Sequence, residues 1–501
     1  MNESLNRKIG ASLNLANMFI SVAIGLVYIP FVLRFLGQGE YGVFTLANSI
    51  ISYITILDLG FGNALVRYSA RAKAENSDEK DIYGMFLVFY LIVSAVALVA
   101  GIVIYKQIGS FFSTSFTVGE IEILKKVYII LLANTIIAFP SSVFSSIIRT
   151  HERFVFANGI TLISNFLRHI SSLVVLYLGF HSVSLAVTSL VFTIIVAVIN
   201  IIFCFKKLQI KIGFKKFSKA FYKEVFLYSF FILINIIVDQ LYASTDNIIL
   251  GKFCGSAVVA VYGIGIVFQT YFMQFSTAIA GVFLPHISKL SVKEDGNEEI
   301  SNIFVKVGRV QFLVLSFILI GYVVLGKNFI QLWTGEGYDD AYFIALIIMI
   351  PDVIHLSQNV GISVLQARNK HAVRSVMIFI VAVLNVIISI PLAIKYGGIG
   401  AAIGTGLGSL LGQGMFMNWY YYKKMGLNIP LFWKEIGGIL LKSIPVVVMF
   451  KVISMIVNSY SWSGFVIKGL VSVTIAVPYY ILFVLNDDEK RLLRISTGKK
   501  K

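Results

Sequence analysis

Charge is what this 501-residue chain has least of. Asp, Glu, Lys and Arg together make up 13% of it, while 57% is hydrophobic. A soluble globular chain carries roughly 25% charged residues. A sequence this poor in charge cannot keep most of its surface in water, which excludes a disordered tail and a cytosolic multidomain enzyme. Cysteine is also scarce. Cys204 and Cys254 are the only two, too few for a disulfide-rich secreted scaffold, and they are expected on opposite sides of a membrane, so no disulfide is predicted. Proline occurs eight times against forty glycines. That balance suits helices packed closely in lipid, where glycine lets backbones approach.

What is present is long apolar runs. A helix of roughly 20 apolar residues spans the hydrocarbon core, and fourteen such runs are predicted: 13–36, 43–65, 83–104, 127–148, 156–178, 183–205, 225–250, 257–284, 310–330, 342–365, 376–394, 399–421, 439–456 and 464–485. In lipid these must be helices, because an open sheet would leave backbone groups unpaired. The first run is too long for a signal-peptide core, and no small-residue cleavage site follows it. The expected fold is therefore all-α: a polytopic membrane protein with about fourteen transmembrane helices.

Orientation follows from Lys and Arg. With the N-terminus placed in the cytoplasm, only seven of these residues fall at outer ends: Arg34, Lys106, Lys125, Lys126, Lys252, Lys327 and Lys395. Inner segments hold 31. This is the positive-inside asymmetry, and it puts both termini inside. The net charge of +17 then needs no nucleic-acid partner. The basic run from Lys206 to Lys223, which includes Lys215 and Lys216, reads as a surface for anionic inner-leaflet lipid.

Catalytic signatures are missing. The longest outer loop, 105–126, offers only Glu120 and Glu122 as acid/base groups. There is no phosphate-cradling Gly-x-x-x-x-Gly-Lys-Ser/Thr. Gly37-Gln38-Gly39-Glu40-Tyr41-Gly42 has the dinucleotide-binding spacing but joins two membrane runs rather than a strand and a helix, so it reads as a turn. His151-Glu152 lacks a second histidine at metal spacing. No metal site, cofactor or enzymatic activity is expected.

Runs one to six and seven to twelve resemble two copies of one unit. A shift of 218 residues puts Phe35-Leu36-Gly37 on Phe253-Cys254-Gly255. Parallel repeats around a central cavity are a transporter architecture. The expected organisation is two pseudo-symmetric six-helix lobes, 1–210 and 211–425, followed by two additional helices and a basic tail in 426–501. Gly400, Gly404, Gly408 and Gly412 recur every fourth residue in run twelve, which predicts a packing seam.

An ionisable group at mid-bilayer costs roughly 2.5–3.5 kcal/mol on insertion scales, so each calls for a reason. The runs contain Asp58, Arg168, His169, Asp239, Asp246, Asp352, His355 and Lys451. Polar stripes recur at helical spacing: Asn14, Asn17, Ser21 and Tyr28 in run one; Asn48, Ser52 and Thr55 in run two; Asn235, Asp239, Tyr242 and Asp246 in run seven; Tyr262, Gln269 and Ser276 in run eight. A hydrated cavity accommodates such stripes, and interhelical pairing is the simpler alternative. For Asp352 and His355, at i and i+3, both a self-contained pair and a proton site stay open.

The stretch Phe35-Leu36-Gly37, Glu40-Tyr41-Gly42 and Leu57-Asp58-Leu59-Gly60-Phe61-Gly62-Asn63-Ala64 with Arg67 resembles the polysaccharide transporter (Wzx-type oligosaccharide flippase) family. That family belongs to the multidrug/oligosaccharidyl-lipid/polysaccharide exporter superfamily. Thr245-Asp246-Asn247, Leu250-Gly251 and Leu284-Pro285-His286-Ile287-Ser288 look like its second half. The resemblance implies a two-lobed alternating-access transporter in the bacterial plasma (inner) membrane. It implies translocation of an undecaprenyl-pyrophosphate-linked oligosaccharide for O-antigen or capsule synthesis, alongside other polysaccharide-assembly proteins. Under it, Arg67, Arg149 and Arg168 attract the pyrophosphate. Asn14, Asn17, Asn48, Ser52, Asn235, Tyr242 and Gln269 meet sugars, and Asp239, Asp246, Asp352 and His355 couple an ion. Two rival readings are a cation-coupled multidrug exporter, which would put the aspartates against cationic drugs, and a membrane glycan polymerase, which would need a larger outer loop.

Overall fold

The computed structural model describes residues 3–75, 77–214, 217–290, 296–368, 370–457 and 460–492; Lys215 and Lys216 of the basic run lie outside them. Every regular element among the described residues is helical. In chain order these are α1 (Glu3–Thr55), α2 (Phe61–Ala74), α3 (Lys80–Phe112), α4 (Val118–Thr150), α5 (Phe154–Tyr177), α6 (Ser182–Ile202), α7 (Lys219–Phe253) and α8 (Ser256–Leu290). There follow α9 (Gly296–Thr334), α10 (Asp340–Ser357), α11 (Val360–Ala367), α12 (His371–Ser409), α13 (Met417–Lys423), α14 (Ile429–Ile456), α15 (Trp462–Tyr479) and α16 (Asp487–Leu492). Twelve stretches among the described residues are long and apolar enough to cross a bilayer.

The difference from fourteen has a structural reason. α1 is 53 residues long, which as a straight rod would measure ~80 Å, far more than the ~30 Å hydrocarbon core. It is not straight: Gly37 sits at φ 72°, ψ 173°, a conformation open to glycine. Tyr28 and Ile29 before this break and Asn48 and Ser52 after it line one cavity, so the helix folds back at Gly37. α12 breaks likewise at Gly397, φ 60°, ψ −139°. Its two halves then pack together. A Cβ on Gly404 would lie 2.2 Å from Ser389 Oγ, one on Gly408 3.3 Å from Asn385 Cβ, and one on Gly412 2.8 Å from Val381 Cγ2. The glycine repeat is thus an antiparallel packing seam between the first half of α12 and the stretch from Gly404 to Gly412, which runs just past the end of α12. Asn385 Nδ2 donates to Thr405 Oγ1 across it, at 3.2 Å. Both breaks fall between runs that the sequence treats as separate helices.

Two other runs are shorter than expected. Run two ends as α1 stops at Thr55; a 3₁₀ turn over Ile56–Asp58 and left-handed Leu59 and Gly60 precede α2. Leu-Asp-Leu-Gly supplies the glycine that a helix terminus of this kind favours. Run ten divides at Gln358 and Asn359 into α10 and α11, where three-residue hydrogen bonds such as Gln358 N–H to His355 O (3.0 Å) replace the helical ladder.

The chain forms two compact units. The first is 1–263 with 393–397, and the second is 264–392 with 398–501. This division lies at Gly263, within α8, whereas the expected repeat boundary is at 210. In the first unit, α7 joins α1 through polar contacts. Ser52 Oγ and Ser244 Oγ are 2.7 Å apart, Asn247 Nδ2 donates to Ser49 Oγ at 2.9 Å, and Tyr53 bonds Thr245. Charged caps fix two of its turns. Glu40 accepts from Ser182 N–H and Oγ–H at the start of α6 (2.8 and 2.7 Å), placing an anion at a helix N-terminus. Thr117 and Glu120 form a reciprocal capping box on α4, and Glu120 also accepts from Ser256. Of the two acidic groups in 105–126, Glu120 is therefore a structural cap, while Glu122 pairs with Lys126 one turn along α4, at 2.7 Å.

In the second unit, Arg309 of α9 is the anchor. Its Nε donates to Glu489 Oε1 of α16 at 2.6 Å, its Nη1 to Glu435 of α14, and its Nη2 to Val484 O at 3.1 Å. The C-terminal helices are thereby tied to α9 by a buried ion cluster. On the loop after α11, Arg368 donates to Met425 O at 2.9 Å and to Asn297; burial there lowers its pKa.

Candidate functional site

Among the described residues, the first unit holds cavities with polar side chains in their walls. One, of about 390 Å³, lies between the two halves of α1 with Ser244 of α7 and Leu185 of α6. Its polar lining is Tyr28, Tyr41, Thr45, Asn48, Ser49, Ser52 and Ser244. Asn48 and Ser52 of the run-two stripe line it, whereas α7 contributes Ser244, which is not one of the run-seven stripe residues. Asn48 Nδ2 itself donates to Phe44 O (2.8 Å). Ser52 thus lines the cavity and also bonds α7 through Ser244.

The second cavity, about 260 Å³, is an open cleft lined by α4, α5 and α6. α4 contributes Ser141, Ser142 and Ser145, α5 Thr161, Ser164, Asn165 and Arg168, and α6 Ser189, Thr193 and Asn200. Each set follows helical spacing, so each helix turns one hydroxyl-rich face inward. Arg168 is the one cation of the lining, which includes no carboxylate. Its Nη2 donates to Asn165 Oδ1 at 3.2 Å. The next residue, His169, packs edge-on against Tyr28 with ring centroids 4.7 Å apart. An arginine held in the middle of a membrane helix among hydroxyls, without a lining acid to neutralise it, can receive an anion.

Other predicted residues fall elsewhere. Asn17 Nδ2 donates to Asn158 O of α5 at 3.2 Å. Arg67 is exposed on α2, its guanidinium 4.4 Å from the centroid of the Tyr228 ring. Arg149 is exposed in the last turn of α4. Asp246 is only 3% exposed and accepts from Tyr262 O–H, while Asp239 on the same helix is exposed. The side chains of Asn14 and Asn235 lie outside the described residues.

In the second unit Asp352, 2% exposed, gathers two other predicted residues, Gln269 and His355, together with Ser409 into one cluster. Gln269 Nε2 donates to its Oδ2 at 2.9 Å and Ser409 Oγ to its Oδ1 at 2.9 Å, and His355 Nδ1 lies 3.4 Å from Oδ1. Ser409 also contacts His355 Nδ1 at 3.3 Å. The pair is thus embedded in a network reaching α8 and α12. Among the described residues no group of three His, Cys, Asp or Glu side chains is placed to hold a metal ion.

The hydroxyls around Arg168 are what sequence reasoning overlooked. Ser141-Ser142 with Ser145, Thr161 with Ser164 and Arg168, and Ser189 with Thr193 and Asn200 all repeat at helical spacing. That signal was available, but serine and threonine are so common in membrane helices that only their convergence on one cation marks them.

Helices of membrane length lining such cavities define a class. The fold itself is shared with solved membrane transporters. It superposes with TM-score 0.73 on the lipid II flippase MurJ in its inward closed conformation, over 96% of this chain and 99% of that one, at 17% identity. With an inward-facing multidrug resistance MATE family transporter the TM-score is 0.66, over 85% of this chain and 99% of that one, at 15% identity. The particular family follows from the sequence: residues 31–343 match the family described as polysaccharide biosynthesis protein, and the chain belongs to it. It is also similar to a protein described as an O-antigen transporter from Shigella flexneri, 22% identical over 416 residues, which are 81% of this chain and 96% of that protein.

Proposed function

We propose that this protein is a flippase that moves an undecaprenyl-pyrophosphate-linked oligosaccharide from the inner to the outer leaflet of the bacterial plasma membrane by alternating access, for O-antigen or capsule assembly. The observation that carries the reading is Arg168, a cation maintained at mid-membrane inside a hydroxyl-lined cavity, in a chain of the polysaccharide biosynthesis family. A sugar–pyrophosphate headgroup cannot cross hydrocarbon unaided, and a polar, cationic compartment lowers that barrier. Arg149 sits at the inner mouth on this reading, and Arg67 near it. Asp239, Asp246, Asp352 and His355 are proposed to couple transport to an ion gradient. The Lys and Arg distribution supports fourteen spans with both termini in the cytoplasm.

The test uses a deletion strain and surface-glycan staining normalised to protein abundance. Arg168→Ala is expected to abolish most export, and Arg168→Lys, which keeps the charge but loses the planar fork, to restore part of it. Wild-type glycan with both variants removes the arginine from the cargo path. The second reading, a cation-coupled multidrug exporter, draws on the buried acids Asp246 and Asp352. It predicts drug sensitivity, and normal surface glycan, in the deletion strain.

A further inference from the structure

Within the first unit, α7 is fastened differently along its two halves. Its C-terminal half meets the second half of α1 through neutral bonds: Ser244 with Ser52, Asn247 with Ser49 and Thr245 with Tyr53. Ser244 and Asn247 are 5% and 6% exposed, so water does not compete for their bonds. The N-terminal half meets α2 instead, and the contact is of another kind. Tyr68 sets its ring edge-on to Phe221 and Tyr228, at centroid distances of 5.3 and 6.2 Å. Its hydroxyl donates to Glu224 Oε1 at 3.4 Å, and Arg71 Nη1 donates to the same oxygen at 3.2 Å. The side chains of Arg71 and Glu224 are 57% and 48% exposed, so water and salt weaken this pair.

The two kinds of contact change over at one point. The left-handed break at Leu59-Gly60 parts α1 from α2. It crosses α7 at Ile232, where a Cβ on Gly60 would lie 2.4 Å from Ile232 Cγ2. Arg71 is also shared: its Nε donates to Glu75 Oε1 at 2.9 Å, one turn along α2. When α7 moves away, Arg71 keeps Glu75 and Glu224 passes into water. Parting therefore leaves no buried charge without a partner. A contact of this kind holds one state and lets it go readily, which a two-state element requires.

Building on the flippase reading and its topology, which puts the N-terminal end of α7 at the cytoplasmic face, we propose that Tyr68, Arg71 and Glu224 form a releasable clasp. Closed, it keeps the inner half of α7 against α2. Open, it admits cargo from the inner leaflet, while the buried bonds to Ser49, Ser52 and Tyr53 keep the outer half of α7 in place. The three are positioning residues that hold a state and touch no cargo.

The test uses full-length protein in inside-out membrane vesicles, with Ser229→Cys as a thiol reporter and Cys254→Ser to remove the partly exposed native thiol; Cys204 is buried. Ser229, on the N-terminal half of α7, is 2% exposed, so a water-soluble maleimide reaches a thiol there only when α7 parts. Glu224→Ala and Arg71→Ala are each expected to speed labelling about two- to fivefold, the range that an exposed ion pair supplies. Arg71→Glu should speed it further, and Arg71→Glu combined with Glu224→Arg should return it toward the parent rate. Salt raised to about 1 M, where the screening length is ~3 Å, should speed labelling of the parent and leave Arg71→Ala unchanged. A role in transport is read separately in a deletion strain. Cells carrying Arg71→Cys with Glu224→Cys, treated with a membrane-permeant bis-maleimide, should stop adding surface glycan, whereas either single cysteine treated alike keeps adding it. Should a charge variant fail to fold, Tyr68→Phe, which removes only the hydroxyl, should still speed labelling. Unchanged labelling in both alanine variants, no recovery in the double variant, or continued export by the bridged pair overturns the clasp. A deletion strain with normal glycan would instead strike the flippase reading and leave the labelling results standing, so the two failures are distinguishable.

Discussion

Asp246 and Asp339 differ in surroundings more than in chemistry. Asp246 is buried on α7 and takes a hydrogen bond from Tyr262. Asp339 is exposed before α10, and its carboxylate accepts from Gln331 at 2.8 Å. Asp246→Asn is expected to cut surface glycan by about fivefold or more, since a membrane-buried acid is retained for a role, while Asp339→Asn leaves it near wild type. Equal effects would show that burial in the stripe has no functional meaning. Arg309 offers a stability counterpart. Glu489, its side chain 7% exposed, is the more enclosed of the two acids that hold it, Glu435 being 36% exposed. Glu489→Gln should cost about 3 kcal/mol, because it leaves a buried guanidinium under-compensated. Glu435→Gln should lower the thermal midpoint less in the same melts. The sequence announced Arg168 and Asp352 as anomalies because charge in an apolar run is conspicuous. It gave no comparable notice of Asn200 or the serines, whose polarity is cheap enough to occur anywhere along a membrane helix.

At the scale of elements, the glycine seam of α12 yields a graded expectation. Gly412→Ala would place its Cβ 2.8 Å from the branched Val381 side chain, an overpacking of about 1–3 kcal/mol. Gly408→Ala would approach Asn385 Cβ only to 3.3 Å. Alanine's gain of roughly 0.5–1 kcal/mol over glycine in a helix offsets that contact, so this variant should melt within a degree or two of the parent. Reversal of this order in detergent melts would mean that the two halves of α12 do not pack along that face. Periodicity made the seam legible, but not its partner: the sequence suggested a neighbouring helix, and the fold supplied the preceding half of the same one. Run two was read as one uninterrupted helix because Ile56, Leu57 and Leu59 are as apolar as their neighbours. The left-handed turn at Leu59-Gly60 depends on backbone dihedrals to which hydropathy is blind.

For the whole molecule, charge asymmetry makes the clearest forecast. Single cysteines at Lys106 and Lys395 should react with a membrane-impermeant thiol reagent added to intact spheroplasts. One at Lys211 should react only after permeabilisation. Labelling of Lys211→Cys from outside would invert the topology and with it the direction of transport. The class of protein and its apolar helices were written in the amino-acid order, because each is a local sum over neighbouring residues that lipid reads directly. Which hydroxyls converge on Arg168, which polar residues line a cavity and which bond across to another helix, and which acids serve as caps depended on folding. Those are relations between side chains far apart in the chain, and only the packing of one helix against another brings them within hydrogen-bonding distance.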